Sequence, residues 1–204
     1  FDASVAELAD VNGMTKDECY GQLKLDYDGY HFDWNTPGIY NPFSLLNTLS
    51  SCQFRDYWFE TGTPSYLVEL LKRHDFKLDE LKGNKVTANV LSAIDASSSD
   101  PIPVIFQSGY LTISGYNERY KLYSLDFPNE EVREGFMLYL MPYYTSVSVN
   151  KTGFQISCFV EEVKSGDISG FMTRLESFFA NVPYDLIKDT ENHYQNVLFI
   201  LCNL

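Results

Sequence analysis

The residues of this chain whose types could carry chemistry are few: the turn Thr61-Gly62-Thr63-Pro64, the carboxylate Glu191, and the imidazoles His31, His74 and His193. Hydroxyls and backbone N–H groups gathered at a helix start suit a phosphate, which makes Thr61, Gly62 and Thr63 nucleotide-proximal candidates. Every capped helix offers the same groups, so capping is the competing reading of that turn. Glu191 falls in the first turn of the last expected helix, where the helix dipole favours a carboxylate without any further purpose. With three widely separated histidines, a His-based triad or a multi-His metal centre is hard to assemble. His31 sits among aromatic residues and reads first as a hydrogen-bonded packing residue. The sequence contains no Gly-x-x-x-x-Gly-Lys-Ser/Thr, no Gly-x-Gly-x-x-Gly and no His-Glu-x-x-His.

Composition narrows the field further. A net charge of -13 disfavours a phosphate-backbone surface, and the acids concentrate before residue 60, where only Lys16, Lys24 and Arg55 oppose them. The basic residues between Lys72 and Lys85 read as the solvated side of a helix and its exit. Cys19, Cys52, Cys158 and Cys202 lack ligand or disulfide spacing and read as reduced, buried thiols of a cytoplasmic protein. No stretch approaches the ~18 apolar residues of a membrane span. The first residue is Phe1 and the last residues form the apolar run Val197–Leu204, so a fragment of a longer chain is expected.

The elements that must position these groups are marked mainly by their caps. A helix is predicted over 3–11 with Asn12-Gly13 closing it, and a second begins at Thr15 with Asp17 and Glu18 in its first turn. The latter runs into Tyr27-Asp28-Gly29-Tyr30-His31-Phe32, where Gly29 permits a turn. Asn41 followed by Pro42, and Thr63 followed by Pro64, predict two further helix starts. Their apolar sides are Leu45, Leu46 and Leu49 in one, and Tyr66, Leu67, Leu70 and Leu71 in the other. The rings of Tyr57-Trp58-Phe59 lie between them and are expected to lock these helix pairs together.

A short strand at Lys85-Val86, short helices near 87–94 and 101–108, and a serine-rich linker at 97–99 come next. Gly109 stops the second of these helices, and a hairpin follows in which Tyr110, Thr112 and Ser114 alternate with Leu111 and Ile113. Asn129 then caps a helix bearing Val132, Phe136, Leu140 and Tyr143. Helices at about 154–164, from Asp167, and from Asp189 or Thr190 complete the chain, with a turn at 181–185. The last helix is expected to bury Tyr194, Val197, Ile200 and Leu201.

The expected class is mainly α within α+β, in three parts: a helical lid-like region (1–82), a winged-helix-like connector with one β-hairpin (83–145) and a helical tail (146–204).

Six segments taken together carry a resemblance. They are Tyr27–Phe32, Tyr40-Asn-Pro-Phe-Ser44, Tyr57–Ser65 with Trp58 at its start, Gln107–Ile113 with Gly109-Tyr110, Pro128–Phe136 and Phe178–Tyr184. In that order the chain resembles the middle portion of a bacterial family, common in gut Bacteroidetes, that joins an AAA-ATPase-like domain to a PD-(D/E)XK nuclease-like domain. The resemblance implies that the P-loop lies before this region and the Asp and Glu-x-Lys of the nuclease core after it. It implies ATP and Mg2+ as cofactors of the whole protein and none for this part. Glu191 matches the family's helical Glu, which would help to orient the metal. Tyr27, Asp28, Gly29, Tyr30, Asn41, Pro42, Trp58, Gly109, Tyr110 and Asn129 match motif positions. The resulting expectation is an inactive lid and connector whose partner is the rest of its own chain. A protein-docking module, with a protein partner or homodimer, competes with it. A winged-helix nucleic-acid reader is the weakest alternative, because Arg119 and Lys121 of the wing are offset by Glu118 and the acids after it.

Overall fold

Caps set many of the element boundaries. Thr15 Oγ1 accepts from the Glu18 N–H at 3.3 Å while Glu18 Oε2 accepts from the Thr15 N–H at 2.8 Å, a reciprocal capping box at the start of one helix. Asn41 Oδ1 accepts from the Phe43 N–H at 3.0 Å ahead of another, with Pro42 in its first position. Thr15→Ala should cost about 1 kcal/mol in urea unfolding, since it removes one acceptor and leaves the first turn short of a partner.

The computed structural model describes residues 1–60, 65–92, 100–145, 147–180 and 190–204. In chain order the elements are α1 (Asp2–Val11), α2 (Lys16–Tyr27), α3 (Pro42–Ser51), a 3-10 turn (Trp58–Glu60), α4 (Ser65–Arg73), a second 3-10 turn (Leu78–Leu81) and β1 (Asn84–Val86). They continue with α5 (Ala88–Leu91), α6 (Ile102–Gln107), β2 (Thr112–Asn117), β3 (Leu122–Asp126), α7 (Glu130–Tyr144), α8 (Val149–Ser165), α9 (Ile168–Ala180) and α10 (Thr190–Cys202). The fold is mainly helical with a small antiparallel sheet, an α+β class. Among the described residues, no helix is long and apolar enough to cross a membrane.

The chain divides into two compact units, Phe1–Pro64 with Leu81–Gly135, and Ser65–Glu80 with Phe136–Leu204. In the first unit, α1, α2 and α3 share a core of Val5, Leu8, Ala9, Cys19, Leu23 and Tyr27, with Leu45, Leu49 and Phe54 packed against it. Its sheet has three strands in the order β1-β3-β2. β1 pairs with β3, Lys85 opposite Ser124, so the expected hairpin gains a third strand on one side. A strand, two short helices and a hairpin follow one another in the order expected of residues 84–126. The register shifts between Ile113 and Gly115. The predicted in-out alternation of β2 fails at that end: Tyr110, Leu111, Thr112 and Ile113 are all buried. Thr112 tolerates burial because its hydroxyl accepts from the His31 N–H at 2.7 Å and donates to the His31 carbonyl at 3.2 Å.

In the second unit, Phe159 of α8 meets Phe171 and Phe178 of α9 edge-on at 5.4 and 5.8 Å. The buried side of α10 is Asn192, His193, Asn196, Val197 and Ile200, whereas Tyr194 is exposed and Leu201 half-buried. Asn196 holds the Leu78 N–H at 2.7 Å and the Phe76 carbonyl at 2.9 Å, and Asn192 donates to the Asp75 carbonyl at 2.6 Å. Asparagines therefore occupy places that the apolar pattern had given to Tyr194 and Leu201. Similar displacements occur elsewhere: Leu46, Tyr66, Tyr143 and Ile168 are exposed. On α3 the buried side is Ser44 and Thr48, and Ser44 Oγ is drawn in by Asn41 Nδ2 at 2.9 Å. The expected break over 146–153 is shorter than predicted, because α8 starts at Val149 and takes Gly153 into its interior, a cost of only about 1 kcal/mol. Of the cysteines, Cys19 alone is fully buried, while Cys202 is exposed and all four are free thiols.

Candidate functional site

Most of the motif positions converge in the first unit on one buried carboxylate, Glu131, which is 3% exposed. Asn129 caps α7 through Oδ1, which accepts from the Val132 N–H at 3.0 Å, and this sets the first turn that carries Glu131. Glu131 Oε1 then accepts from the backbone N–H of Trp58 at 2.9 Å. The Trp58 ring lies 6.0 Å from that of Tyr30 and meets Tyr110 edge-on at 6.3 Å. Phe59 adds a further contact with Tyr110 at 6.0 Å.

Glycines permit this packing at two places. Gly109, at φ 81°, puts its Cα where a Cβ would lie 3.1 Å from the Trp58 ring. A Cβ on Gly135 would come within 2.1 Å of the Phe59 ring. The aromatic rings after Arg55 therefore pack on Tyr30, Tyr110 and these glycines, where the sequence had suggested a lock between neighbouring helices.

The Tyr27 hydroxyl donates to the Arg55 carbonyl at 3.0 Å and accepts from the Arg55 N–H at 3.1 Å. Burial pushes its pKa up to about 12, so it stays a neutral clamp on the segment leading to Trp58. Asp28 turns its Oδ1 onto the Gly29 N–H at 2.8 Å, and Gly29 at φ 105° lies against the Pro128 carbonyl. Tyr30 bridges to Ile39 across the intervening loop. His31 Nδ1 lies 2.8 Å from the Thr36 carbonyl, the hydrogen-bonded packing role expected of it.

Burial also raises the Glu131 carboxyl, to about 7, and the Trp58 N–H opposes that rise. Ser44 and the Tyr57 N–H pull in the same direction as Trp58, but among the described residues no donor reaches Glu131 Oε2 in hydrogen-bond geometry. The Tyr30 hydroxyl is likewise enclosed without a partner among the described residues, and burial holds its pKa well above the usual phenol range.

Two recesses flank the start of α7 within the first unit. A groove of about 760 Å³ is lined by Lys24, Asp28, Gly29, Lys82, Asn129 and Arg133, among others. A smaller one of about 320 Å³ is acidic, with Asp26, Asp56, Glu130, Glu131 and Glu134 on its walls. Burial raises the carboxyls of Asp26, Asp56 and Glu134, and neighbouring carboxylates add to the effect at Asp26 and Glu134.

Sequence reasoning missed Glu131 as a site residue. The available signal was Gly135, one turn further along α7, because a glycine in mid-helix can mark a close approach on the face it shares with Glu131.

Other sequence candidates do not join this cluster. Thr61, Gly62 and Thr63 lie outside the described residues, as do the turn at 181–185 and the serine run at 97–99. Glu191 stands exposed in the first turn of α10, in the second unit, with Gln195 Nε2 donating to its Oε1 at 3.3 Å. Among the described residues, no group of His, Cys, Asp and Glu is disposed to hold a metal ion.

No family model matches the chain, and no solved structure matches it. The chain is similar to a protein of Azotobacter chroococcum mcd 1 described as "Uncharacterized protein in vnfD 5'region", with 31% identity over 212 residues. The match covers 97% of this chain and 38% of the relative, so the chain spans well under half of that protein's length.

Proposed function

We propose that this chain is the helical lid and connector of a larger ATP-binding, PD-(D/E)XK nuclease-like protein and is itself inactive. The observation that carries this reading is the use of the motif residues. Tyr27, Asn41, Trp58, Gly109 and Asn129 each cap a helix, clamp a loop or admit a close contact. Residues shared by a family for such reasons preserve a shape that holds other parts in place. In the Azotobacter protein the matching region is accompanied by more chain than itself, which agrees with a connecting role.

ATP and Mg2+ belong, on this reading, to the remainder of the parent chain, and Glu191 would join a metal centre only with carboxylates supplied from there. A cytoplasmic location fits the free cysteines. A nucleic-acid role has little support, because α6, the helix of the winged-helix-like part that precedes the hairpin, reads Ile-Pro-Val-Ile-Phe-Gln and buries Ile102, Pro103 and Ile105.

A docking role has one specific observation in its favour. Phe32 and Ile39 are exposed beside Trp34, which stacks on Tyr116 at 5.6 Å, so an aromatic surface is available to a protein partner. Assays of the purified chain with MgATP and with plasmid DNA should show no hydrolysis and no nicking above buffer. Turnover of either by the chain alone would overturn the lid reading. Stable homodimers in light scattering would favour the docking role.

A further inference from the structure

We propose that the contact between Glu131 and the Trp58–Glu60 turn is a charge-operated latch at the two places where the chain leaves the first unit, closed while Glu131 is protonated and opened when it ionises. The inference does not depend on the lid reading and rests on packing within this unit.

The chain departs from the first unit after Pro64 and again after Gly135. Trp58 and Phe59 come shortly before the first departure, and Glu131 and Gly135 end the second. Two contacts join these segments. The Trp58 N–H donates to Glu131 Oε1 at 2.9 Å, and the Phe59 ring fills the space that a side chain on Gly135 would need. One buried carboxyl and one ring therefore tie the two departures together.

That carboxyl is badly placed to carry a charge. Its Oε2 is buried, with no donor in hydrogen-bond geometry among the described residues. The groups around it add to the difficulty. α7 itself contributes Glu130 and Glu134, which share Arg133. α2 contributes Asp26 and the Tyr27 phenol, the loop after it the Tyr30 phenol, and the segment leading to Trp58 both Arg55 and Asp56. Ser44 of α3 and the Tyr57 N–H are the neutral groups that favour the charge. Arg55 is exposed and forms no ion pair among the described residues, so water screens most of what it could offset.

Asp56 gives the repulsion a direction, because it sits on the very segment that Glu131 holds. Ionisation of Glu131 calls for water at Oε2 and pushes the segment before Trp58 away from α7. Parting the two achieves both, and the recess of about 320 Å³ that they line is the path for the water. Burial and Asp56 raise the closed carboxyl to about 7, above its ordinary 4.5, so opening releases a proton. Raising the pH toward 7 therefore favours the open latch, and above 7 the effect levels off. The core of α1, α2 and α3 contains neither Glu131 nor Trp58, so it stays packed while the latch opens.

The test is hydrogen exchange of the Trp58 amide in the full chain, followed by NMR, with each rate divided by that of an unstructured peptide at the same pH. The Leu23 amide in α2 marks unfolding of the whole unit. Protection at Trp58 should fall at least about tenfold between about pH 5 and pH 8. At the upper pH it should lie below that of Leu23 and ignore low urea, because a local opening exposes little surface. Glu131→Gln keeps the acceptor and should hold Trp58 protection constant over this range. Asp56→Asn, at an exposed position, should recover part of the loss at pH 8. Equal exchange and equal urea dependence at Trp58 and Leu23 would overturn the latch, since only unfolding of the unit would then free the amide. So would a Trp58 protection that does not change with pH in the wild type, or the full wild-type loss in Asp56→Asn, which keeps the test decisive should Glu131→Gln not fold.

Discussion

Gly29→Ala is expected to destabilise the chain by about 3–5 kcal/mol, a large part of the ~5–15 kcal/mol that separates folded from unfolded domains. At φ 105° an alanine is strained wherever it is placed, which costs on the order of 1–3 kcal/mol. The new Cβ would also lie 2.0 Å from the carbonyl oxygen and 3.0 Å from the carbonyl carbon of Pro128. Both are backbone atoms and cannot rotate away, so the overlap adds a further 1–3 kcal/mol or so as the segments separate. The damage should spread along the chain, because Pro128 precedes the Asn129 cap, and the cap fixes the turn that presents Glu131 to Trp58. Gly13→Ala is the natural control. Its φ is 66° but no atom lies within 4 Å of the added carbon, so only the backbone term of about 1 kcal/mol applies. Urea unfolding followed by tryptophan fluorescence measures both. Equal losses in the two variants would show that Gly29 is not closely packed.

Glu131 should make the protein less stable as the pH rises from about 5 to 7. Its carboxyl titrates at about 7 in the folded chain against 4.5 for the ordinary value. Between those values the folded state holds a proton that the unfolded state has lost, so raising the pH favours unfolding. At ~1.4 kcal/mol per pH unit the whole effect is about 3 kcal/mol, present below pH 4.5 and lost as the pH passes 7. The raised carboxyls of Asp26, Asp56 and Glu134 act in the same direction. Glu131→Gln keeps an oxygen to accept from the Trp58 N–H and removes the titration. It should be nearly neutral at pH 5, stabilise by about 2–3 kcal/mol at pH 8 and flatten the curve of stability against pH. A variant whose pH profile matches the wild type would mean that Glu131 is not the buried titrating group.

Local chemistry was legible in the sequence wherever it was self-contained. Thr15, Asn41 and Asn129 were identifiable as caps because a cap needs only its own helix, and Gly29 and Gly109 were identifiable as turn residues for a similar reason. What needed partners from distant segments was not legible. The strand pairing of Lys85 with Ser124 depends on a register that short strands do not encode, and the burial of Thr112 depends on His31. The apolar faces of α3 and α10 were legible only in part: Leu45, Leu49, Val197 and Ile200 pack as expected, but Ser44, Asn192 and Asn196 are buried by hydrogen bonds, which hydrophobic spacing does not register. The candidate site shows the same division. Its motif positions were visible one by one, but their meeting on Glu131 was not.

That meeting has a consequence for the order in which the chain can fold. The cluster of α1, α2 and α3 is complete once Phe54 has been synthesised, and its contacts are short in sequence. The link between Trp58 and Glu131 spans 73 residues, and that between His31 and Thr112 spans 81. During synthesis the first helices can therefore settle early, while Trp58, Phe59 and Tyr110 wait for α7 to emerge. In that interval the aromatic rings and the Trp58 amide have no native cover, which is when a growing chain is most exposed to aggregation and most in need of a chaperone. The arrival of Glu131, with Gly135 one turn later, thus completes the cover of Trp58 and Phe59 in the first unit.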